Sequence, residues 1–210
     1  DKNCQVIEHH DSGIWILDKA PGVLSHPNEK KTVNYKQKTL IRADYCMQTE
    51  KYTWDSDCGT QEFYLCHRLD SPTSGIIIGC NNAKIATEIK NAFSKRRIQK
   101  TYLAVTQGYK SAKMGRWHDQ LSERKKAGKL RVQKGNDEQA VTIASRERMH
   151  QGKFNLNLLK LKPLTGRTHQ LRYQCMARKM PILGDKTYGN FSLNRQFTKA
   201  TKSPRKYRKC

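Results

Sequence analysis

Three observations predict an α+β fold, a mixed but mainly antiparallel β-sheet with flanking helices and long loops. Short apolar runs recur between Gly, Pro and Asn, and only one segment carries a strong helical stripe. The third is a thin apolar supply over the 210 residues, with 36% hydrophobic residues and a mean hydropathy of -0.88. A chain of this length fits one domain of ordinary size, spanning residues 1 to 210 with a basic tail from about 190.

GIWILDKAPGVLSHP, residues 13 to 27, reads as a strand, a Pro-Gly turn and a second short strand over Val23 to Ser25. Residues 28 to 61 are polar with scattered aromatics and read as an irregular excursion with one short helix at most. EFYLC and GIIIGC, at 62 to 66 and 75 to 80, read as strands on either side of HRLDSPTS. The second is continuously apolar, as a strand buried on both faces requires.

Ile85, Ile89 and Phe93 recur every fourth position, so a helix runs from a cap at Asn81 or Asn82 to about Arg97. KTYLAVTQG alternates, with Tyr102, Ala104 and Thr106 on one face of a strand. Residues 108 to 137 form an exposed loop or hairpin, and QAVTIASRE and KFNLNLLKLK are strands. In the latter the apolar phase shifts between Leu158 and Leu159, which predicts a bulge. Thr165 or Thr168 starts a helix carrying Leu171 and Cys175 one turn apart.

Charge limits the partners. Forty-one Lys and Arg against 18 Asp and Glu leave a net charge of +23. Such an excess self-repels unless a polyanion neutralises it, and a nucleic acid does so with release of counterions. No basic amphipathic helix with a strong apolar face argues for a membrane surface. The seven cysteines are odd in number and lack metal-ligand spacing. They predict neither a zinc site nor a disulfide framework, but a reducing, cytoplasmic setting. No apolar run is long enough to span a bilayer.

Asp70, in HRLDSPTSG, is of a kind that often does no more than bond turn amides before Ser-Pro. The wider pattern argues for more. HRLDSPTSG at 67 to 75, KTYLAVTQG at 100 to 108, and GRTHQLR followed by PILGDKTYG between 166 and 189 resemble the RluA family of RNA pseudouridine synthases. WILDKAPGVLSHP at 15 to 27 resembles that family's opening strand-turn-strand. The four blocks stand in family order across nearly the whole chain.

The resemblance implies isomerisation of uridine in ribosomal or transfer RNA to pseudouridine, with the target base flipped out. It implies no cofactor and no metal. Asp70 matches the family's catalytic aspartate, and a carboxylate serves there as nucleophile or base only while ionised. Arg167 matches the arginine that supplies the compensating charge a buried carboxylate needs; its plainer alternative is a phosphate contact. Tyr102 matches the tyrosine that stacks on the base and relays a proton; its plainer alternative is a core residue of an alternating strand. Arg68 matches the residue that fills the RNA stack where the target leaves, against a simple phosphate clamp. Leu171 is implied to pack on the uracil, and Arg172 to contact RNA. His67 and His169 read as structural.

Two departures from the family pattern stand out. Gln174 occupies the place of a family histidine, which bears on helix packing more than on chemistry. Family chains continue past the basic segment with a strand opening Leu-His-Ala, whereas these residues stop at Cys210; a sheet edge left open is expected. No separate RNA-binding domain is expected before Gly13, and the protein is expected to be monomeric. The rival reading is a catalytically silent RNA-binding or ribosome-associated factor on the same fold. The Asp70, Tyr102 and Arg167 set weighs against it.

Overall fold

The structure is a computed structural model and describes residues 3–27, 38–108, 113–126 and 129–202. It divides into two compact units, Asp1–Ile98 and Gln99–Cys210.

The first unit is a six-stranded antiparallel sheet in the order β1-β2-β6-β5-β4-β3. Its strands are β1 (Cys4–His9), β2 (Ile14–Lys19), β3 (Asp44–Cys46), β4 (Lys51–Ser56), β5 (Gly59–Leu65) and β6 (Gly75–Cys80). GIIIGC is a central strand between β2 and β5, which explains its unbroken apolar character. Leu17, Leu40, Tyr52, Phe63, Leu65 and Ile77 build one core layer. Gly79 is required there, because the Phe63 ring occupies the space a Cβ would take. Across the sheet, Cys66, Cys80 and Ala86 pack with Ile85, Ile89 and Phe93 of α1 (Ala83–Ser94). Asn82 caps α1, its side chain accepting from the amides of Lys84 and Ile85, an interaction contributing about 1 kcal/mol.

The second unit is a five-stranded antiparallel sheet in the order β7-β11-β10-β8-β9. Its strands are β7 (Tyr102–Gln107), β8 (Gly115–Lys126), β9 (Lys129–Lys134), β10 (Glu138–His150) and β11 (Leu156–Pro163). Two helices follow, α2 (Gln170–Ala177) and α3 (Phe191–Lys202). Leu159, Leu161, Ala104, Ala144 and Trp117 line one face of the sheet and bury Cys175 of α2. The α+β class with antiparallel sheets and flanking helices is the one expected.

Several local expectations are corrected. The described part of 38 to 61 is not an irregular excursion, because β3, β4 and the start of β5 form a meander there; residues 28–37 lie outside the described residues. The short strand over Val23 to Ser25 reduces to one bridge, Leu24 to Thr39. The apolar shift at Leu158 and Leu159 does mark an irregularity, but the extra residue sits in the partner strand. Arg146 pairs with Leu159 and Arg148 with Leu158, so β10 carries the bulge at Glu147. β11 stays regular, with Asn157, Leu159 and Leu161 buried in alternation. The helix of GRTHQ begins at Gln170 rather than at a threonine cap, and the basic tail carries a helix, α3, that its sequence pattern does not announce. Within 108 to 137 the expected hairpin is present, as β8 paired with β9, and residues 203–210 lie outside the described residues.

Candidate active site

Asp70 is half-buried in the connection from β5 to β6. The residues on both sides of it are tied to the chain that follows β2. Before it, Ser25 Oγ donates to the Leu69 carbonyl at 2.9 Å and accepts from the Leu69 amide at 3.1 Å. After it, the Ser71 carbonyl accepts from the Gly22 amide at 2.7 Å and from Lys19 Nζ at 3.2 Å. The Asp70 carbonyl accepts from the Thr73 amide at 3.0 Å, closing the turn. The carboxylate therefore projects from a loop whose backbone is fixed on either side before any substrate arrives.

Lys19 is fully buried. Besides Ser71 it donates to the carbonyls of Val23 at 2.8 Å and Ala20 at 3.1 Å. Burial pushes its ammonium below the ordinary lysine range, and the negative charge of Asp70 partly offsets this. The wall beside the loop is aromatic. Tyr52, fully buried, donates to the Ser25 carbonyl at 2.8 Å. Tyr45 stacks on His26 with centroids 5.1 Å apart. Burial pushes the Tyr45 phenol up to about 12.

Arg68 is exposed, and its Nη1 lies 2.9 Å from His26 Nε2. His26 Nδ1 lies 2.8 Å from the Pro27 carbonyl. A carbonyl only accepts and a guanidinium only donates, so Nδ1 serves as the donor and Nε2 as the acceptor. His67 accepts the Ile78 amide at its Nε2, 3.0 Å away, and packs on Phe93; its place is structural.

The remaining expected residues stand in the second unit. Tyr102, on β7, and Leu171, on α2, are half-buried against the same cluster of Ala104, Trp117, Leu159 and Leu161. Arg167 lies in the turn before α2. Its Nη1 holds Glu138 Oε1 at 2.7 Å and its Nε donates to the Gln139 carbonyl at 3.1 Å. That turn is clamped by Gln170, whose Oε1 accepts from Thr165 Oγ1 at 2.8 Å and the Arg167 amide at 3.0 Å. Its Nε2 donates to the Val141 carbonyl at 3.1 Å and Thr142 Oγ1 at 2.9 Å. With His169 in a left-handed conformation (φ 49°) and offering no side-chain cap, Gln170 sets the entry to α2.

Arg172 is bidentate on Asp185, through Nε at 2.7 Å and Nη2 at 3.1 Å. Burial alone would push the Asp185 carboxyl up. Hydrogen bonds from Arg172 and from the Tyr188 and Thr187 amides overcome it and hold the group below its ordinary value. Gln174 is fully buried, donating to Asp119 Oδ2 at 2.8 Å and the Ala140 carbonyl and accepting from Thr142 Oγ1. At the place of the family histidine it thus ties α2 to β8 and β10.

Lys19, Ser25, His26, Gln170 and Asp185 escaped the sequence reading as site-supporting residues. All five sit inside the recognised blocks, LDKAPGVLSHP, GRTHQ and LGDKTYG. That position is the one signal that marks them. Among the described residues no group of His, Cys, Asp and Glu could hold a metal ion, and no helix is long and apolar enough to cross a membrane.

The family described as RNA pseudouridylate synthase matches residues 13–177. The ribosomal large subunit pseudouridine synthase D of Borreliella burgdorferi is 31% identical over 185 residues, covering 87% of this chain and 54% of the relative. The chain thus spans about half of that protein's length. The tRNA pseudouridine synthase C of Haemophilus ducreyi is 30% identical over 213 residues, covering 93% of this chain and 78% of the relative. Among solved structures, human RNA pseudouridylate synthase domain containing 1 superposes with a TM-score of 0.64 at 24% identity, over 92% of this chain and 73% of that one. That likeness bears on the fold. The family match over most of the chain and the two relatives show that this protein belongs to the RluA family of RNA pseudouridine synthases.

Proposed function

We propose that the protein isomerises uridine to pseudouridine in ribosomal or transfer RNA, with Asp70 as its catalytic residue. One observation carries the reading: the loop of Asp70 is anchored on both sides, at Leu69 by Ser25 and at Ser71 by Lys19 and Gly22. A carboxylate held in place before substrate binds avoids the cost of ordering it during reaction.

The reaction breaks the bond from uracil N1 to ribose C1′ and forms one from C5 to C1′. N1 gains a proton and C5 loses one, so nothing is oxidised or reduced and no co-reactant is consumed. Ionised Asp70 acts on the ribose as nucleophile or base. Arg167 supplies compensating charge, and Tyr102 offers a ring on which a flipped base gains about 1 to 3 kcal/mol of stacking. The phenol oxygen of Tyr102 suits the proton relay from C5. Leu171 packs on the uracil and Arg68 fills the gap in the RNA stack. Arg172 contacts RNA while its guanidinium fixes the loop of Asp185.

Incubation with total RNA that lacks the modification, followed by a map of pseudouridine, tests this. Wild type should form product at discrete uridines and Asp70→Ala none, with unfolding curves that coincide. No product from folded wild-type protein would overturn the reading in favour of an RNA-binding factor. Tyr102→Phe keeps the stack and loses the relay, so turnover should fall while RNA affinity holds.

A further inference from the structure

We propose that the face of the second sheet opposite Tyr102 is a second RNA-binding surface, engaged by large folded RNA and not by the target stem alone. The inference rests on the family reading above. Strand alternation and the register divide the sheet into two faces. Tyr102, Ala104, Leu159, Leu161, Ala144 and Trp117 share the face that carries the core and α2.

The opposite face carries Arg116, Arg124, Arg131, Arg148, Lys160 and Lys162. Five of these are exposed and Lys160 is half-buried. Among the described residues none of the six is in an ion pair. The acidic group on that side is Glu147 at the bulge, whose Oε1 accepts from Ser145 Oγ at 2.8 Å. The core face, by contrast, is balanced. Asp119, Glu123 and Glu138 stand there with Lys125, Lys134 and Arg146. A general surplus of basic residues would not sort the acids onto one side of the same strands. The sorting is the signature of a surface that meets a polyanion.

The basic face is open around its exposed aliphatic groups, although Val141 and Gln107 on the same side are buried. Leu103 is 66% exposed, and Val105 and Ile143 are each 42% exposed, all on this side. Ile143 lies in one row between Arg116 and Lys162. Cations beside exposed aliphatic groups suit phosphate with the ribose next to it. Arg116 and Arg124 are eight residues apart on β8, about 27 Å along the strand, a reach of several nucleotides. RNA lying against Tyr102 cannot also lie on this face unless it folds around the edge of the sheet.

The test compares the wild-type chain with the triple variant Arg116→Gln, Lys160→Gln, Lys162→Gln, after checking that both unfold alike. Each binds a short uridine-bearing stem-loop, the mapped target where wild-type protein has one, and a ribosomal RNA fragment of several hundred nucleotides holding the same stem-loop. Every phosphate that the variant leaves unneutralised lowers the slope of log K against log salt by about 0.7 to 0.9. The slope should therefore fall by about 2 to 3 on the large fragment and stay unchanged on the stem-loop, with turnover of the stem-loop preserved. An equal fall on both RNAs, or on neither, would overturn the proposal. So would competition by polyglutamate as strong as that by RNA, which would assign the face to an acidic protein. If wild-type protein forms no pseudouridine yet the slope still falls on the large fragment alone, the catalytic reading fails and the surface stands.

Discussion

The loop that carries Asp70 and the segment around α2 are both held rigid, but by opposite electrostatic means. The first is braced by a fully buried lysine whose ammonium is spread over three backbone carbonyls. The second is braced by a nearly buried ion pair, Arg172 with Asp185, whose side chains are 12% and 5% exposed. Three carbonyl dipoles only partly replace water around a cation, so the buried lysine is penalised and its pKa falls. A bidentate carboxylate with two further amide donors is more than compensated, so its pKa falls for the opposite reason. One brace is a penalised cation whose charge is felt by the Asp70 carboxylate. The other is a satisfied pair.

Breaking the satisfied pair should have the largest effect. Asp185→Ala leaves a buried guanidinium without its partner and strips donors Thr187 and Tyr188 of their acceptor. A loss of about 3 to 5 kcal/mol in unfolding free energy is expected, measured by urea denaturation. The sign in pH follows from the lowered folded-state pKa. Asp185 stabilises the protein above its unfolded-state pKa of about 4, and that contribution is lost as pH falls through the lower folded value. The mutant should therefore show a flatter acid limb than wild type, and equal limbs would refute the assignment.

Lys19→Met separates the two braces next. Removing a penalised ion returns part of what its hydrogen bonds contribute, so the stability cost should be smaller, about 1 to 3 kcal/mol. The activity cost should be disproportionate, because the Ser71 carbonyl beside Asp70 loses its side-chain anchor. In wild type the native state holds the Lys19 proton less tightly than the unfolded chain. Stability thus rises with pH between the depressed native pKa and the unfolded value near 10.4, and the mutant should lack that rise. If it loses stability and keeps full turnover, the brace has no part in placing Asp70.

The same contrast explains what the sequence made legible. Periodicity locates β6, α1 and β7 because each has an unmixed apolar pattern, and the motif blocks point to the residues of the proposed chemistry. The meander from Asp44 stays hidden because most of its residues are polar or aromatic and four of the nine positions of β3 and β4 are exposed. The bulge lies one strand away from where the apolar pattern suggests, since the extra residue stands in β10 while β11 stays regular. The supporting shell is the least legible. A lysine reaching carbonyls at 20, 23 and 71, or a glutamine tying 165 and 167 to 141 and 142, is a long-range arrangement without a local pattern.

The smallest effect should come at the exposed rim of the first loop, where His26 accepts from Arg68 while stacking on Tyr45. His26→Phe keeps an aromatic ring on Tyr45 and deletes the acceptor, so it isolates the hydrogen bond from the packing. A single bond of this kind at an exposed guanidinium contributes about 1 kcal/mol, which corresponds to roughly a fivefold change. The fold should be unaffected, because neither ring nitrogen supports the core. If Arg68 fills the gap left by the flipped uridine, its loosened guanidinium should lower turnover on structured RNA about fivefold. A target already presented in a single strand has no stack to repair, so its rate should hardly change. Equal losses on both substrates would make Arg68 a phosphate clamp. No loss on either would mean that His26 holds Arg68 only when RNA is absent.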